Sequence, residues 1–385
     1  MKKIWCALGA AMVLALMFLT ACNESAVVSS AGSSTGGKAT PVLPNGQYTN
    51  EDGLLELPGM EGTVEGDGNI PALLSWKEYE ELCNANGLGL PSEAFADNGE
   101  YEVTVWPSEA TGVAAPRGIL ARESDLLVAD GQSGRIAVLD KEGNLIKTVG
   151  EIGNGEEEFL RPSAILNFEG NIHVLDGGND RIQVLNERLE FQQSFQLIRP
   201  SEYGDFYNFA YDQAGNLYLS RMDVNSQRLY CYPRGQKGEP TPIGENCCAA
   251  LAEKEGKVYA LNFGTSYTEG PVPEDPHLFV EGGMGSGNNH LFSAQPTQMT
   301  KIAELPFGIS GSSLLATQDG FLVFSESVGR LLQFDADGVF EKTIAEIPLQ
   351  SHFSSYVAQG EDGTMYVTGE GNSNIYVISR RKDQG

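Results

Sequence analysis

Residues able to do chemistry are few in this 385-residue chain, and their spacing does not assemble a catalytic set. The four histidines, His173, His277, His290 and His352, are scattered along the sequence. No Gly-x-Ser-x-Gly elbow presents a nucleophilic serine. No Cys-x-x-Cys with paired histidines offers a tetrahedral zinc set. The glycine-rich run at 282–287 lacks the Lys-Ser/Thr ending and the strand–helix context of a phosphate loop, so it reads as a hinge. Asp335 and Asp337, followed by Gly338, lack the ligand spacing of a calcium loop and read as a hairpin turn. Two charge pairs do recur at one spacing: Asp130 with Arg135, and Asp176 with Arg181. A buried pair of this kind is better attested as a device for specifying geometry than as a catalyst. Neither a metal nor a cofactor is expected from these residues.

The first residues carry a different chemistry. Lys2 and Lys3 are followed by an uncharged apolar run over 4–19, then Thr20, Ala21 and Cys22. That is the three-part pattern of a secretory signal. The tetrad Leu19-Thr20-Ala21-Cys22 resembles the lipobox of bacterial lipoproteins. The resemblance implies that Cys22 becomes the mature N-terminus, carries diacylglycerol on its sulfur and fixes the chain to the outer side of a cell membrane. The next stretch, 22–52, is rich in Ser, Gly, Ala and Thr and has no periodic apolar face, so it behaves as a tether reaching roughly 30 Å.

Composition bounds the partners. There are 52 acidic against 25 basic side chains, a net charge of −27. Such a field repels nucleic acid and anionic lipid headgroups, and no basic cluster overrides it. With Cys6 in the signal and Cys22 lipidated, Cys83, Cys231, Cys247 and Cys248 remain, as buried free thiols or as one disulfide.

The elements that position these residues repeat. A turn with Gly or Asp, then an apolar strand, recurs at Val128, Val174, Leu219, Ala260, Val323 and Val367, counting the third strand position. The step is roughly 45 residues, the length of one four-stranded propeller blade, with a longer step between Ala260 and Val323. Blade 1 reads as strands at 118–121, 126–129, 135–139 and 145–149, and blade 2 as strands at 163–166, 172–175, 181–185 and 191–197. The remaining inner strands fall at 207–211, 247–251, 312–316 and 354–358. The fold class is therefore all-β, a six-bladed β-propeller preceded by a signal peptide, a tether and a short helix. That helix spans 75–86, with Ser75 as its cap and Trp76, Tyr79 and Cys83 on one face.

The segments beginning Asp130-Gly-Gln-Ser-Gly-Arg135-Ile136 and Asp176-Gly-Gly-Asn-Asp-Arg181-Ile182, with the linker 149–162 and its Gly153, Gly155, Phe159 and Pro162, resemble NHL repeats. The match covers about 116–186 and fades beyond: blade 3 has Arg221 in the Asp position, blade 5 has Glu326 near it, and blade 6 lacks the Arg. The resemblance implies that Asp130 and Arg135, like Asp176 and Arg181, pair structurally between the second and third strands.

Blade 6 ends after its third strand, while an orphan alternating strand, 101–106, lies upstream of blade 1. Pairing the two closes the ring and removes open edges. The domain divisions expected are 1–21 signal, 22–52 tether, 53–100 small helical segment and 101–385 propeller.

The expected function is a lipid-anchored, extracytoplasmic binding or scaffold propeller, monomeric, taking a protein, peptide or glycan on its channel face. Its candidate contacts are Tyr203, Phe206 and Tyr207 at the start of blade 3, and Tyr267, His277 and Phe279 in an insertion at 264–289. The alternative is a metal-dependent lactonase- or lyase-like propeller enzyme, which requires ligands converging from several blades.

Overall fold

A computed structural model describes residues 96–97, 99–198, 205–223, 226–235, 240–245, 249–262, 290–305, 311–325, 329–347, 355–369 and 373–382. Twenty-four of its strands form six antiparallel four-stranded sheets. In blade 1 these are Pro116–Ala121, Leu126–Asp130, Arg135–Leu139 and Leu145–Val149, from the inside out. Blade 2 comprises Pro162–Phe168, Asn171–Asp176, Arg181–Leu185 and Phe191–Gln196. Blades 3, 4 and 5 repeat this meander with inner strands Asp205–Tyr211, Ala249–Lys254 and Gly311–Ala316. Blade 6 takes Ser355–Gln359, Met365–Gly369 and Ile375–Arg380 from the end of the chain, and its outer strand, Tyr101–Trp106, from the beginning.

The hydrophobic pattern explains the packing. Every residue of Leu126–Asp130 is buried, because second strands are covered on both sheet faces by neighbouring blades. The outer strand Leu145–Val149, facing solvent, is exposed over its first four residues. The core lies between blades: one cluster joins Leu127 and Val138 of blade 1 to Val174 and Leu185 of blade 2. Others join blades 3 and 4, 4 and 5, and 5 and 6. Neighbouring inner strands touch all the way round, including Pro116–Ala121 against Ser355–Gln359, so the circle is closed. Gly118 marks one close approach: a Cβ there would stand 2.7 Å from the Ala164 backbone of the next blade.

Closure is by backbone pairing. Tyr101 to Trp106 register antiparallel with Arg380 to Ile375. Tyr101 and Val103 pack beside the cluster holding Tyr376 and Ile378. Glu100 then clamps the seam, binding Lys342 of blade 5 at 2.9 Å and Arg380 of blade 6.

The sequence-read strands 101–106, 135–139, 145–149 and 181–185 coincide with those observed, and several others grow by one or two residues. The inner strand of blade 4 is displaced: it was expected over 247–251 and spans Ala249–Lys254. After blade 1 a short parallel pair, Glu151–Ile152 with Glu158–Phe159, brings Phe159 into the core at 0% exposure. The expected signal, Cys22, the tether, the helix at 75–86, Cys83, Cys247, Cys248 and the insertion at 264–289 lie outside the described residues. Cys231 is a buried free thiol, its pKa pushed up to about 11 by burial.

Candidate functional site

The two recurrent charge pairs sit where the second strand turns into the third. Asp176 pairs in register with Arg181, and its carboxylate accepts from Arg181 Nε at 2.8 Å, Asn179 Nδ2 at 2.8 Å and the Leu160 N–H at 2.7 Å. Arg181 spends its other donors on the carbonyls of Asn154, Gly155 and Glu158, holding the glycine-rich linker against the blade. Burial pushes the Asp176 carboxyl up, against the pull of these donors. Asp130 accepts from Arg135 Nε at 3.3 Å and from the N–H groups of Ala114, Ala115 and Ser133. Burial opposes its ionisation, yet the hydrogen bonds together hold its pKa below the usual carboxylate range. Both aspartates thus staple the segment entering a blade to the turn beside it.

The later blades solve the same corner differently. Arg221 occupies the Asp position of blade 3, is 0% exposed, and lies with its guanidinium 5.6 Å from the Phe206 ring centroid. In blade 5, Arg330 pairs with Glu346 from the outer strand, while Glu326 lies outside the described residues.

The site that faces solvent is elsewhere. The inner strands of all six blades enclose a cavity of about 640 Å³, within the range of small-molecule sites. Its lining follows those strands to their C-terminal ends and onto the hairpin turns after them. About half of the lining residues are aliphatic, including Leu120, Leu166 and Leu315. On blades 2 and 3 the wall becomes aromatic: Phe168 and Tyr211 stack with centroids 4.2 Å apart and planes 16° from parallel. Behind them His173 shares a hydrogen bond with Tyr211 Oη at 3.0 Å and meets that ring edge-on. Burial drives the pKa of His173 down to about 4, so it is a neutral support for the aromatic wall.

Each aromatic is followed by an acid. Glu169 and Asp212, with Glu253 and Glu255 of blade 4, carry the lining onto three successive turns. Asp212 is fixed by Asn216 N–H at 2.9 Å, Asn216 Nδ2 at 2.7 Å and Tyr218 Oη at 3.2 Å. Glu253 accepts from the Gly256 N–H at 2.5 Å, and Glu169 shares its charge with Arg234 at 2.8 Å. Lys254 turns away between its two glutamates and donates to the carbonyls of Thr317 and Gln318 on blade 5.

Of the contact residues read from sequence, Phe206 and Tyr207 stand at the start of the inner strand of blade 3, away from the end that bears the acids, and neither is among the lining residues. Phe206 is 2% exposed, and the Tyr207 carbonyl accepts from Tyr356 Oη at 2.8 Å. Tyr203, Tyr267, His277 and Phe279 lie outside the described residues. Sequence reading missed Phe168, Tyr211 and the acids after them. The signal available was the aromatic–acid step at the end of two consecutive inner strands.

Among the described residues no three His, Cys, Asp or Glu side chains come together to hold a metal ion. The described lining carries carboxylates at the ends of three inner strands and the turns after them, the amides Asn167 and Asn208, and no histidine.

No protein-family model matches the chain, and no curated protein matches its sequence. Solved structures do resemble it. A family AA12 carbohydrate-active enzyme from Trichoderma reesei is 11% identical, with 75% of this chain and 98% of that one covered and a TM-score of 0.52. A gluconolactonase from Xanthomonas campestris is 12% identical, covering 74% and 92%, with a TM-score of 0.51. A luciferin-regenerating enzyme is 13% identical, covering 72% and 95%, with a TM-score of 0.50. At these identities the likeness is one of fold: the chain is a six-bladed β-propeller.

Proposed function

We propose that this chain is a lipid-anchored, extracytoplasmic binding propeller of NHL type that holds a small ligand or short peptide in its channel cavity without chemical change. One observation carries the reading: six inner strands converge on one cavity with an aromatic wall on blades 2 and 3 and a size suited to a small molecule. The cavity volume suits a small molecule or a short peptide segment better than a protein surface or a long glycan. Ala121 and Ala316 line it and are partly exposed, so a larger side chain at either narrows the cavity. The test is a ligand-observed NMR screen of a fragment library against the wild type and against Ala121→Trp and Ala316→Trp, each checked for an unchanged melting transition. Hits should lose their signal in both variants; hits indifferent to both would contradict the reading.

The anchor rests on the Lys2–Lys3 start, the apolar run and Cys22. Cys22→Ser should move the protein from the membrane fraction to the soluble one, and retention on membranes would refute lipidation at that sulfur.

A further inference from the structure

The charge of the cavity lining is one-sided. Among the described residues that form it are four acids, Glu169, Asp212, Glu253 and Glu255, and no lysine, arginine or histidine. The acids are an arc rather than a scatter, since they sit at the inner-strand ends and following turns of blades 2, 3 and 4, while blades 1, 5 and 6 contribute none to the lining. The arc continues from the aromatic wall, because Phe168 directly precedes Glu169 and Tyr211 directly precedes Asp212.

A second, independent feature points to an occupant. Ser313, on the inner strand of blade 5, belongs to the lining, is 2% exposed, and its Oγ has no hydrogen-bond partner among the described residues. Its neighbour behaves differently: Ser312 Oγ bonds Ser355 Oγ of blade 6 at 2.5 Å. A buried hydroxyl without a partner costs stability unless something in the cavity completes it. The site therefore offers an apolar body, an aromatic face, one unmet hydroxyl and a negative mouth.

We propose that the ligand is a small organic cation, an ammonium or guanidinium on an apolar or aromatic stem. The inference rests on the reading of this cavity as a ligand site and narrows it to one chemical class. The stem would lie along the aliphatic wall and the Phe168–Tyr211 stack. The cationic head would sit toward Glu253, Glu255 and Asp212, where several carboxylates share the attraction and exclude anions. Glu169 contributes less, because Arg234 already offsets its charge. An anionic stem of equal shape meets the same walls and is repelled at the mouth.

Three probes of one shape separate charge from shape: phenethylamine, phenethyl alcohol and hydrocinnamate. Their dissociation constants are measured by NMR titration of the full mature chain at low ionic strength. The amine should bind roughly tenfold tighter than the alcohol, a modest sum over exposed pairs, and hydrocinnamate more weakly than either. The preference should shrink as salt is raised, a readout that needs no variant. Glu253→Gln with Glu255→Gln should weaken the amine several-fold and leave the alcohol unchanged. Equal binding of all three probes, abolished by Ala121→Trp, would overturn the cation inference and leave the cavity reading standing. Binding of none, or binding that survives the tryptophan variants, would overturn both.

Discussion

A chain from which residues 101–106 are deleted will lose its cooperative melting transition, or melt about 10 °C or more below the full chain. The reason is the position of this strand. It contributes the outer strand of the last blade from the opposite end of the sequence, pairing over its whole length with Ile375–Arg380. Without it, the third strand of blade 6 becomes a bare edge whose Ile375, Tyr376 and Ile378 side chains are now 3% exposed or less. Trp106, 6.0 Å from the Tyr366 ring, would also be lost from the core. Uncovering these apolar groups costs on the order of 5 kcal/mol, a large share of a domain's net stability. Calorimetry decides the matter: a deletion mutant that melts like the wild type would mean that the ring is held by something other than this seam.

Stability will also fall steeply as pH drops from about 6.5 toward 4. His173 and His290 are each 7% exposed, and burial depresses each pKa from 6.5 to about 4, with Lys301 adding to the effect at His290. Both are neutral in the folded ring. The unfolded chain takes up protons first, so their contribution is complete above the unfolded value and is lost as pH descends through the window. A shift of this size corresponds to roughly 3 kcal/mol for each histidine. His173→Phe should remove its share of the pH slope, whatever it costs at neutral pH through the stranded Tyr211 hydroxyl. Chemical denaturation at pH 7 and pH 4 reads this directly. Equal pH slopes in wild type and variant would show that His173 titrates normally in the fold.

Much of the architecture was legible because propeller strands are covered on two faces. Runs such as Leu126–Asp130 and Gly320–Ser325 read as continuous apolar strands between Gly and Asp turns, and their spacing counts blades. The closing strand was legible because 101–106 alternates and had no other partner in sequence. The cavity was not. Leu120, Leu166 and Leu315 look like core residues in a linear reading, and only ring closure leaves them facing a shared space. Glu169, Asp212 and Glu253 look like turn chemistry, which Asp212 also is, since it caps its own hairpin. Their place around one cavity depends on which ends of three inner strands meet, a property of the circle and not of any one blade. Phe206 was read as a mouth residue because aromatics cluster near the start of blade 3. The arginine that replaces the blade 3 aspartate instead covers its ring.

The most direct test is a crystal structure of the protein soaked with the tightest-binding organic amine. The account predicts density for one molecule inside the ring, its stem against Phe168 and Tyr211 and its nitrogen toward Glu253 and Glu255. A molecule bound only on the outer face of a blade, with the channel left to solvent, would contradict it.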